Sequence, residues 1–588
     1  MAENPRKRLT EIFDRALRSA FGEEFAGIDP MVRPSQNPRF GDFQANVAMS
    51  LAKTLGKPPR EIAQAIIDAA EMDSIAETPE IAGPGFINIR LKNEYLADAA
   101  ADLLADPSLG VAAPERVQTV VIDYSSPNAA KEMHVGHLRS TVIGDALART
   151  LDFLGHRVIR QNHLGDWGTQ FGMLTEYLID LGWANEERHG GIDDLNALYR
   201  DAKAKFDRDS DFAERARRRV VALQAGDEET LRLWKDLVEE SLNHFEVIYR
   251  RLGVSLTRED TCAESFYNDA LAGVVADLDA LGLLRESDGA RCVFPPGFRS
   301  RDDEVLPLIV QKKDGGFLYA TTDLAGIRHR IGTLGADRVI YVVGAPQKQH
   351  FEMVFKTAEM AGWVGDASLE HVAFGSVLGN DGRPFKTRSG ETVKLTLLLD
   401  EAEERAARII HEKNPTLDEE TKKDIARIVG LGAVKYGDLS SDRVKDYIFS
   451  WERMLAFEGN TAPYLQNAFV RIRSIFRKGG IDPRAPILGE GADRAALKIT
   501  NDTERALVLM MLHFAPTIEA VCRSLEPHRL CGYLYDLASA FHHFYEKCPV
   551  LKTEDAAVKR SRLALCRNTA DLLEKGLDLL GIEVLDRM

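Results

Sequence analysis

The pattern of apolar and polar residues predicts a parallel-sheet domain in the first half of the chain. The segment VQTVVIDYSS, which begins at residue 117, is typical of a buried strand. GHLRSTVIGDALARTLDFLG has the apolar spacing of a helix that ends at Gly155, and HRVIRQNHLG predicts a second strand. A strand, a helix and a strand within this short span indicate a right-handed βαβ unit of a parallel sheet.

The same pattern returns later in the chain. DRVIYVVGAPQ predicts a strand, KQHFEMVFKTAEMAG a helix and HVAFGSVLG another strand. The intervening segment, about 170–300, is charged and helical in period, and RCVFPP is its one strand signal. Because neither half alone would complete a sheet domain, we expect about 170–300 to be an insertion into a single domain.

The two flanking regions have different patterns. Residues 1–112 begin with an amphipathic helix and end with the alternating strand IAGPGFINIRL, which predicts a small α+β unit. Residues 396–588 are almost entirely helical in period. The predicted fold class is therefore multidomain α/β. It combines a Rossmann-like parallel-sheet domain at 113–395, which carries the helical insertion, with the N-terminal α+β domain and an all-helical C-terminal domain.

Charge and cysteine content narrow the class of protein. The 588 residues carry a formal net charge of −16, which disfavours a polyanionic partner, although nucleic-acid binding needs only a local basic surface. The six cysteines form no C-x-x-C pair and have no histidine at zinc-ligand spacing, so we expect reduced thiols and no metal site. The N-terminal helix contains acidic residues and no apolar run approaches membrane-spanning length. We therefore expect a cytoplasmic protein without a membrane partner; the sequence does not fix the oligomeric state, for which we expect a monomer.

SSPNAAKEMHVGH follows the first predicted strand, where parallel sheets bind ligands. Pro127 and Asn128 predict a turn, and Gly136 omits a Cβ where a ligand would approach the backbone. His134 and His137 are three residues apart, so both rings face the same way beside the unpaired N–H groups of a helix start. This arrangement predicts a phosphate site. The alternative is that the two histidines only cap the helix; a zinc site is excluded because no third ligand stands nearby.

A glycine-rich loop follows the last predicted strand of the sheet. GSVLGNDGRPFKTRSGETV carries Lys386 and Arg388, which could close over phosphates and neutralise a leaving pyrophosphate. Loops of this composition are also common as solvated turns. The presence of H-x-G-H in the same sheet domain favours the phosphate-binding interpretation.

Together these motifs resemble those of the class I aminoacyl-tRNA synthetases. HVGH at 134–137 matches the HIGH-type motif, and KTRSG at 386–390 loosely matches the KMSKS-type loop. SSPNAAKEMHVGHLRST, LGDWGTQFG, YATTDLA, FKTRSGETVKL and FEGNTAPYLQNAFVRI more narrowly resemble the arginyl-tRNA synthetases. The loop lacks the second lysine of its pattern. We hypothesise that Lys131 supplies that charge, so that Lys131→Ala would slow activation more than it weakens arginine binding.

The resemblance implies ATP-dependent ligation of arginine to tRNA(Arg). The arginine carboxylate would attack the α-phosphorus of ATP to form an arginyl-adenylate, and the arginyl group would then pass to the 2′-hydroxyl of the terminal ribose. Neither step requires a protein nucleophile, so positioning and charge stabilisation would provide catalysis. We expect magnesium to accompany ATP. The residues implied in catalysis and ATP binding are Lys131, His134, Gly136, His137, Gly344, His350, Val377 and Lys386.

Arginine selection requires a particular set of acceptors. A guanidinium group has five N–H donors and no acceptor, so its pocket needs carboxylate and carbonyl oxygens. Tyr319 and Asp323 are four residues apart, one turn if helical. Asp323 has the alternative role of a helix cap, because Thr321-Thr322-Asp323 precedes an apolar helix. Residue chemistry and the resemblance together give the candidate arginine site: Asp123, Ser125, Asn128, His134, Tyr319, Asp323 and Gln347.

Candidate RNA contacts lie in both flanking regions. Basic residues are grouped in RARRR, RIRSIFRK and KRSR, although each group is more often a solvated helix face. Aromatic residues near the second group could stack on unpaired bases. The resemblance assigns the C-terminal helices to the anticodon and the NPRFGDFQ box to the tRNA elbow; Asn467 stands where the family commonly has tyrosine. The candidate tRNA-binding residues are Asn37, Phe40, Asp42, Phe43, Gln44, Trp451, Tyr464, Arg471 and Arg473.

Three other functions fit part of this pattern. A small-metabolite adenylyltransferase also uses H-x-G-H, but it needs neither flanking region. A tRNA-binding regulator without catalysis would be expected to lack His137 or Lys386, and both are present. A synthetase for another amino acid would have apolar or differently charged residues at 123, 319 and 323.

Overall fold

The computed structural model describes most of the chain. Lys386 and Arg388 of the predicted phosphate loop lie outside the described residues. The described residues are 4–35, 37–183, 195–300, 302–385, 393–485, 487 and 497–588.

The N-terminal region is a four-stranded antiparallel sheet with helices. Its first helix starts where the Asn4 side chain accepts hydrogen bonds from two backbone N–H groups, and Pro5 occupies its first turn. The strand order is β1-β2-β4-β3. The elements are α1 (Pro5–Phe21), β1 (Val32–Pro34), β2 (Phe43–Ala45), α2 (Val47–Leu55), α3 (Pro59–Ala69), β3 (Glu80–Ala82), β4 (Phe86–Ile89) and α4 (Asn93–Ala105). The predicted α+β unit is thereby confirmed.

The predicted βαβ unit is present. It consists of β5 (Thr119–Asp123), α5 (Val135–Leu154) and β6 (Arg157–Gln161). Gly155 ends α5 in the left-handed conformation with φ +104°, which suits glycine because it has no Cβ. Strands β5 and β6 pair in parallel, with Asp123 opposite Gln161.

The segment that follows β6 is largely helical, and it also contains a small antiparallel sheet of strand order β7-β8-β9. The sequence signalled only the RCVFPP part of this sheet. The elements are α6 (Thr169–Asp180), α7 (Leu195–Arg208), α8 (Ser210–Gln224), α9 (Glu228–Leu252), α10 (Asn268–Ala280), β7 (Leu284–Ser287), β8 (Ala290–Val293), β9 (Leu308–Gln311) and α11 (Tyr319–Arg328).

The chain then returns to the parallel sheet, whose strand order is β11-β10-β5-β6. The added elements are β10 (Arg338–Tyr341), α12 (Lys348–Met360), β11 (Ser368–His371) and β12 (Val377–Leu378). The prediction of one strand over HVAFGSVLG is wrong. The sheet strand β11 ends at the first residue of that segment, His371, and β12 leaves the sheet because its backbone pairs with the strand Tyr447–Ile448 of the C-terminal half.

The C-terminal region is helical, as predicted, apart from the short strand β13. Its elements are α13 (Leu395–Lys413), α14 (Glu419–Leu439), β13 (Tyr447–Ile448), α15 (Trp451–Met454), α16 (Ala462–Gly479), α17 (Asp502–Met511), α18 (Phe514–Ser524), α19 (His528–Lys547) and α20 (Ala556–Leu579). Within the described ranges, the segment Asp502–Ser524 is apolar enough to cross a membrane, contrary to the sequence expectation, but 56% of it is buried in the fold. It comprises two separate helices, α17 and α18, as is usual for core helices of a folded domain.

Candidate active site

The two histidines of HVGH lie at the start of α5 and bond to its backbone. His134 Nδ1 accepts from the Gly136 N–H at 3.0 Å, and His137 Nδ1 accepts from the His134 N–H at 3.1 Å. The ring centroids are 4.0 Å apart. Because each Nδ1 is an acceptor, the proton of each neutral ring is on Nε2, which remains as a donor. The capping role that the sequence left open is therefore real, and it also orients both rings.

The environment keeps these rings neutral. Burial, followed by the neighbouring His134 ring, lowers the pKa of His137 to about 3. Burial, followed by the positive charge of Lys131, lowers the pKa of His134. Lys131 Nζ also lies 4.3 Å from the centroid of the Tyr199 ring in α7. The start of α5 thus combines two neutral N–H donors with one lysine, which is a suitable environment for an anion.

The structure gives a packing reason for glycine at position 136, which differs from the predicted approach of a ligand. A Cβ at this position would lie 2.8 Å from Cε1 of the His134 ring, so a larger residue would displace that histidine. The prediction that a nucleotide requires the open space stays untested.

The end of the glycine-rich loop, at Val393, and the two residues that follow it lie beside the histidines. Val135 N donates to Val393 O at 3.0 Å, and Leu395 N donates to Met133 O at 2.9 Å. Lys394 forms an ion pair with Glu132 at 3.0 Å. Although Lys386 lies outside the described residues, the segment that follows it therefore pairs directly with the start of α5.

The turn after β5 has an unusual backbone. Ser125 and Ser126 have φ values of +69° and +47°, a region that is costly for residues other than glycine. Ser125 is buried, and its hydroxyl bonds with Tyr249 Oη at 2.7 Å and with the Thr141 hydroxyl at 2.9 Å. The hydroxyl of Ser125 is thus used inside the protein, and its predicted contact with arginine stays a prediction. Asn128 is exposed on the same turn.

Asp123 is buried and paired inside the protein. Its side chain is 7% exposed, and Oδ2 accepts from Arg330 Nη2 at 2.7 Å. The other oxygen accepts from the Ser126 hydroxyl at 2.9 Å. Both carboxylate oxygens are thus bonded to side chains of the protein, and the prediction that Asp123 lies close to the α-amino or guanidinium end of arginine stays a prediction.

Tyr319 and Asp323 lie one turn apart on α11, as the spacing predicted. Because α11 begins at Tyr319, Asp323 is inside the helix, and the capping alternative is excluded. Asp323 Oδ2 lies 2.6 Å from His350 Nε2, and Asp323 raises the pKa of His350 against the effect of burial. The side chain of Tyr319 is 70% exposed. His350, predicted beside adenosine, thus bonds to a predicted arginine ligand, which brings the two candidate sites together.

Glu264 is a candidate that sequence reasoning missed. It belongs to the 3₁₀ turn Glu264–Tyr267, and burial, followed by the charges of Asp166 and Asp323, raises its pKa to about 8. A raised carboxylate pKa beside other carboxylates marks a place where a cation would be stabilised. No motif points to it, since the only signal is its proximity to Asp323 in space.

The remaining predicted ligands of the small molecules lie around the ends of β10 and β11. Gly344 bridges to Phe374, and Gln347 is exposed at the end of the 3₁₀ turn Ala345–Gln347. Val377 is buried in β12. Gly344 and Gln347 follow the carboxyl end of β10, where ligands of parallel sheets bind, whereas Val377 lies in the pair of β12 and β13.

The NPRFGDFQ box divides into exposed and internal residues. Asn37 and Phe40 are exposed, and the Phe40 side chain is 46% accessible. Phe43 is buried, and Asp42 forms an ion pair with Arg505 of α17. Gln44 bonds to Asn88 at 2.9 Å. These side chains hold the N-terminal sheet and its contact with the C-terminal helices, and the predicted tRNA contacts of Asp42, Phe43 and Gln44 stay predictions.

The predicted aromatic platforms of the C-terminal region are packed. Trp451 lies against Phe449, with ring centroids 4.7 Å apart. Tyr464 packs against Tyr535 and His542. Both rings are half-buried, and their predicted stacking on RNA bases stays a prediction.

The basic groups have different environments. In RARRR, Arg215 and Arg219 pair with Glu176, and in KRSR, Arg562 pairs with Glu504. Arg473 bonds to Asp586 at 2.7 Å. In contrast, a cleft of about 810 Å³ lies between α16, α19 and the C-terminus. We call it the basic cleft; its lining includes Arg471, Arg477, Lys478, Tyr545, Lys552 and Arg587.

Family models match three consecutive regions of the chain. The model described as "tRNA synthetases class I (R), catalytic domain" matches 100–451. The "Arginyl tRNA synthetase N terminal domain" matches 7–91, and the "DALR anticodon binding domain" matches 465–588. With its parallel sheet and the histidines at the start of α5, the chain is thus an enzyme of the class I aminoacyl-tRNA synthetases.

Similar proteins narrow this class. The chain is 54% identical to the arginine–tRNA ligase of Thermobifida fusca, over 100% of both chains, and 53% identical to that of Laribacter hongkongensis, over 99% of this chain and 100% of that one. It is similar to the crystal structure of arginyl-tRNA synthetase from Plasmodium falciparum, with TM-score 0.84 and 32% identity over 100% of this chain and 99% of that one. The Thermus thermophilus arginyl-tRNA synthetase gives TM-score 0.80 and 26% identity over 99% and 100%. The chain belongs to the arginyl-tRNA synthetase family.

Proposed function

We propose that this chain attaches arginine to tRNA(Arg) through an arginyl-adenylate. An arginine carboxylate oxygen attacks the α-phosphorus of ATP and displaces pyrophosphate; the 2′-hydroxyl of the terminal ribose then attacks the adenylate carbonyl and displaces AMP. The observation that carries the proposal is the contrast across one site. Two neutral histidines lie at the start of α5 and Lys131 lies in the turn before it, whereas Glu264 and Asp323 are close enough for the charge of Asp323 to raise the pKa of Glu264.

In this proposal the start of α5 binds the ATP phosphates. His134 and His137 donate from Nε2, and Lys131 neutralises charge that develops on the leaving pyrophosphate. Lys386 would approach from the loop whose far end pairs with Met133 and Val135. Gly136, Gly344 and Val377 would contact the nucleotide, with His350 at the boundary between the nucleotide and arginine.

The carboxylate pair binds the arginine side chain. Glu264 and Asp323 offer carboxylate oxygens, one of which also bonds to His350 Nε2, to the five N–H donors of a guanidinium, which is planar and permanently charged. Lysine has one compact ammonium and could not satisfy both carboxylates in the same geometry. Tyr319, Gln347 and Asn128 are exposed, and we assign them, with His134, to the rest of the proposed pocket.

We propose two separate contacts with tRNA. Asn37 and Phe40 form an exposed polar and aromatic pair that could contact the elbow. The basic cleft would bind the anticodon loop, since phosphates favour its arginines and lysines and Tyr545 offers an aromatic face. Asn467 lines the same cleft, where it would offer an amide in place of an aromatic ring.

Several further features belong to the proposal. Among the described residues, no group of three or more His, Cys, Asp or Glu side chains could hold a metal, so magnesium would be bound mainly by the ATP phosphates. We propose a cytoplasmic monomer without a membrane partner. We also propose domain boundaries at 112 and 395, because α4 ends at Ala105, β5 begins at Thr119 and α13 begins at Leu395.

The test is ATP–pyrophosphate exchange with each amino acid, with and without total tRNA. We expect exchange with arginine alone, and little of it without tRNA, as is typical of the family. Exchange with another amino acid, or none when tRNA is supplied, would refute the proposal.

A further inference from the structure

A buried arginine lies next to the proposed pocket. Arg330 is 2% exposed and follows α11 on a π-helical turn, His329–Thr333. Single π-helical turns are rare and often occur at functional sites. The turn continues the helix that carries Tyr319 and Asp323, so the position of Arg330 and the position of those two residues are linked.

Arg330 contacts the last residues of three neighbouring strands. Asp123 is in register with Gln161 on one side and with Tyr341 on the other. Arg330 Nε donates to Gln161 Oε1 at 2.6 Å, and Nη2 donates to Asp123 Oδ2 at 2.7 Å. Its Cζ lies 4.8 Å from the centroid of the Tyr341 ring. One guanidinium thus joins the carboxyl ends of β6, β5 and β10.

Asp123 extends this connection to the strained turn. Its second oxygen accepts from the Ser126 hydroxyl, while Asn162 Oδ1 accepts from the Ser126 N–H at 3.0 Å. Ser126 keeps its positive φ because these bonds over-determine it. Asn128, two residues later, depends on the same turn for its position.

We propose that Arg330 is a positioning residue for arginine recognition, which joins the helix of Tyr319 and Asp323 to the turn of Asn128 and thereby fixes the length of the pocket. This inference rests on the proposed function. A buried carboxylate needs a paired cation, so loss of Arg330 would release Asp123 from its present geometry. Lysine retains the charge but cannot donate to Gln161 and Asp123 from one planar group.

Loss of Arg330 should therefore cause a specific error in the choice of amino-acid substrate. If the two ends of the pocket are no longer held at one separation, the site should lose discrimination between arginine and homoarginine, whose side chain is one methylene longer. A residue that supported only general stability would lower the melting temperature without changing this ratio.

The experiment compares Arg330→Lys and Asp123→Asn with Arg338→Gln. Arg338 is a matched control, because it lies at the opposite edge of the same sheet, 2.9 Å from Glu370 Oε2 and 3.0 Å from Cys522 O. Arginine and homoarginine affinities are measured by calorimetry, and the KM for ATP by exchange in the presence of tRNA. We expect arginine affinity to fall at least about tenfold in the first two variants, with homoarginine affected less and the KM for ATP unchanged.

The outcomes separate the possible explanations. The inference is overturned if Arg330→Lys binds arginine normally, if arginine and ATP binding weaken equally, or if Arg338→Gln has the same effect. Asp323→Ala is measured alongside. If that variant also binds arginine normally, the proposed pocket itself is wrong; if it alone loses arginine, only the role of Arg330 fails.

Discussion

The two sides of the active site respond to burial in opposite ways. Burial lowers the pKa of His137 to about 3 and raises the pKa of Glu264 to about 8, so both groups are pushed towards neutrality. A neutral histidine is competent to donate to a phosphate. A neutral Glu264 is not competent to accept two guanidinium N–H groups. The nucleotide side is therefore ready before its ligand arrives, whereas the arginine side becomes fully charged only when a cation binds.

The contrast between the nucleotide side and the arginine side is tested most strongly by replacing the two carboxylates of the arginine side. Asp323→Ala and Glu264→Gln should each weaken arginine binding about 100-fold, because a guanidinium would lose one charged partner in a desolvated pocket. The affinity for ATP should change little. Calorimetric titration with arginine and exchange kinetics at varied ATP provide the measurement.

Asp303→Ala is a suitable control for these variants. Its carboxylate is 84% exposed in a surface ion pair with Arg299, so we expect no change in either affinity. An equal loss of arginine and ATP binding in Asp323→Ala would indicate damage to the fold and would contradict the division into two sides.

The next largest effect is expected on the nucleotide side, when Lys131 is replaced. Lys131→Ala should slow pyrophosphate exchange by about tenfold or more, since charge on the leaving group would lose a stabilising cation. Arginine affinity should remain within about twofold, because the lysine acts in the activation step. Single-turnover formation of the adenylate in the presence of tRNA measures this directly.

Lys356→Ala is the control for that variant. Lys356 lies on α12 of the same parallel-sheet domain. Its ammonium pairs with Glu359 at 3.0 Å on an exposed face. Normal exchange in Lys131→Ala would show that the charge missing from the KTRSG loop is not supplied from the start of α5.

Some features of the fold and of the site can be predicted from the sequence, and others cannot. The βαβ units, the helix that ends at Gly155 and the spacing of His134 and His137 follow from local periodicity, and all are present. The ion pair of Asp123 could not be predicted, because its partner, Arg330, is 207 positions away in the chain. Glu264 was missed for the same reason, since its significance arises from a neighbour on another element. Pairings between distant segments carry no local signal.

The exposure of individual residues also could not be predicted from the sequence. Phe40 and Phe43 are three residues apart in one box, yet one is exposed and the other buried, because Phe43 begins β2 with its side chain in the core. KRSR and RIRSIFRK have similar composition, but Arg562 in the first pairs with the buried Glu504, whereas Arg471, Arg477 and Lys478 of the second line the basic cleft. Charge alone does not distinguish these environments.

A smaller effect should appear in the pH dependence. Below pH 8 Glu264 is protonated in the unliganded protein, and arginine binding requires it to ionise. Affinity for arginine should therefore fall as the pH decreases from about 8, by at most about tenfold per unit. Protonation of His350, whose pKa Asp323 raises, would add to this fall by competing for Asp323.

Calorimetry between pH 6.5 and 9, in buffers of different ionisation enthalpy, measures both the slope and the proton released on binding. Glu264→Gln should reduce the slope. ATP affinity should show no transition from His137 in this range, since its pKa of about 3 keeps the ring neutral throughout. A histidine-dependent transition near pH 6.5 would contradict the account of the nucleotide side.

The smallest effect is expected at the N-terminal box, far from both sides of the site. Phe40→Ala should raise the KM for tRNA severalfold, because one exposed aromatic contact with RNA contributes about 1–3 kcal/mol at most. Phe43→Ala should instead lower the melting temperature, since it opens a cavity in the N-terminal core. Neither variant should alter arginine or ATP affinity. A change in arginine affinity with Phe40→Ala would mean that the elbow contact is coupled to the carboxylate side, and the two sides could then no longer be described independently of bound tRNA.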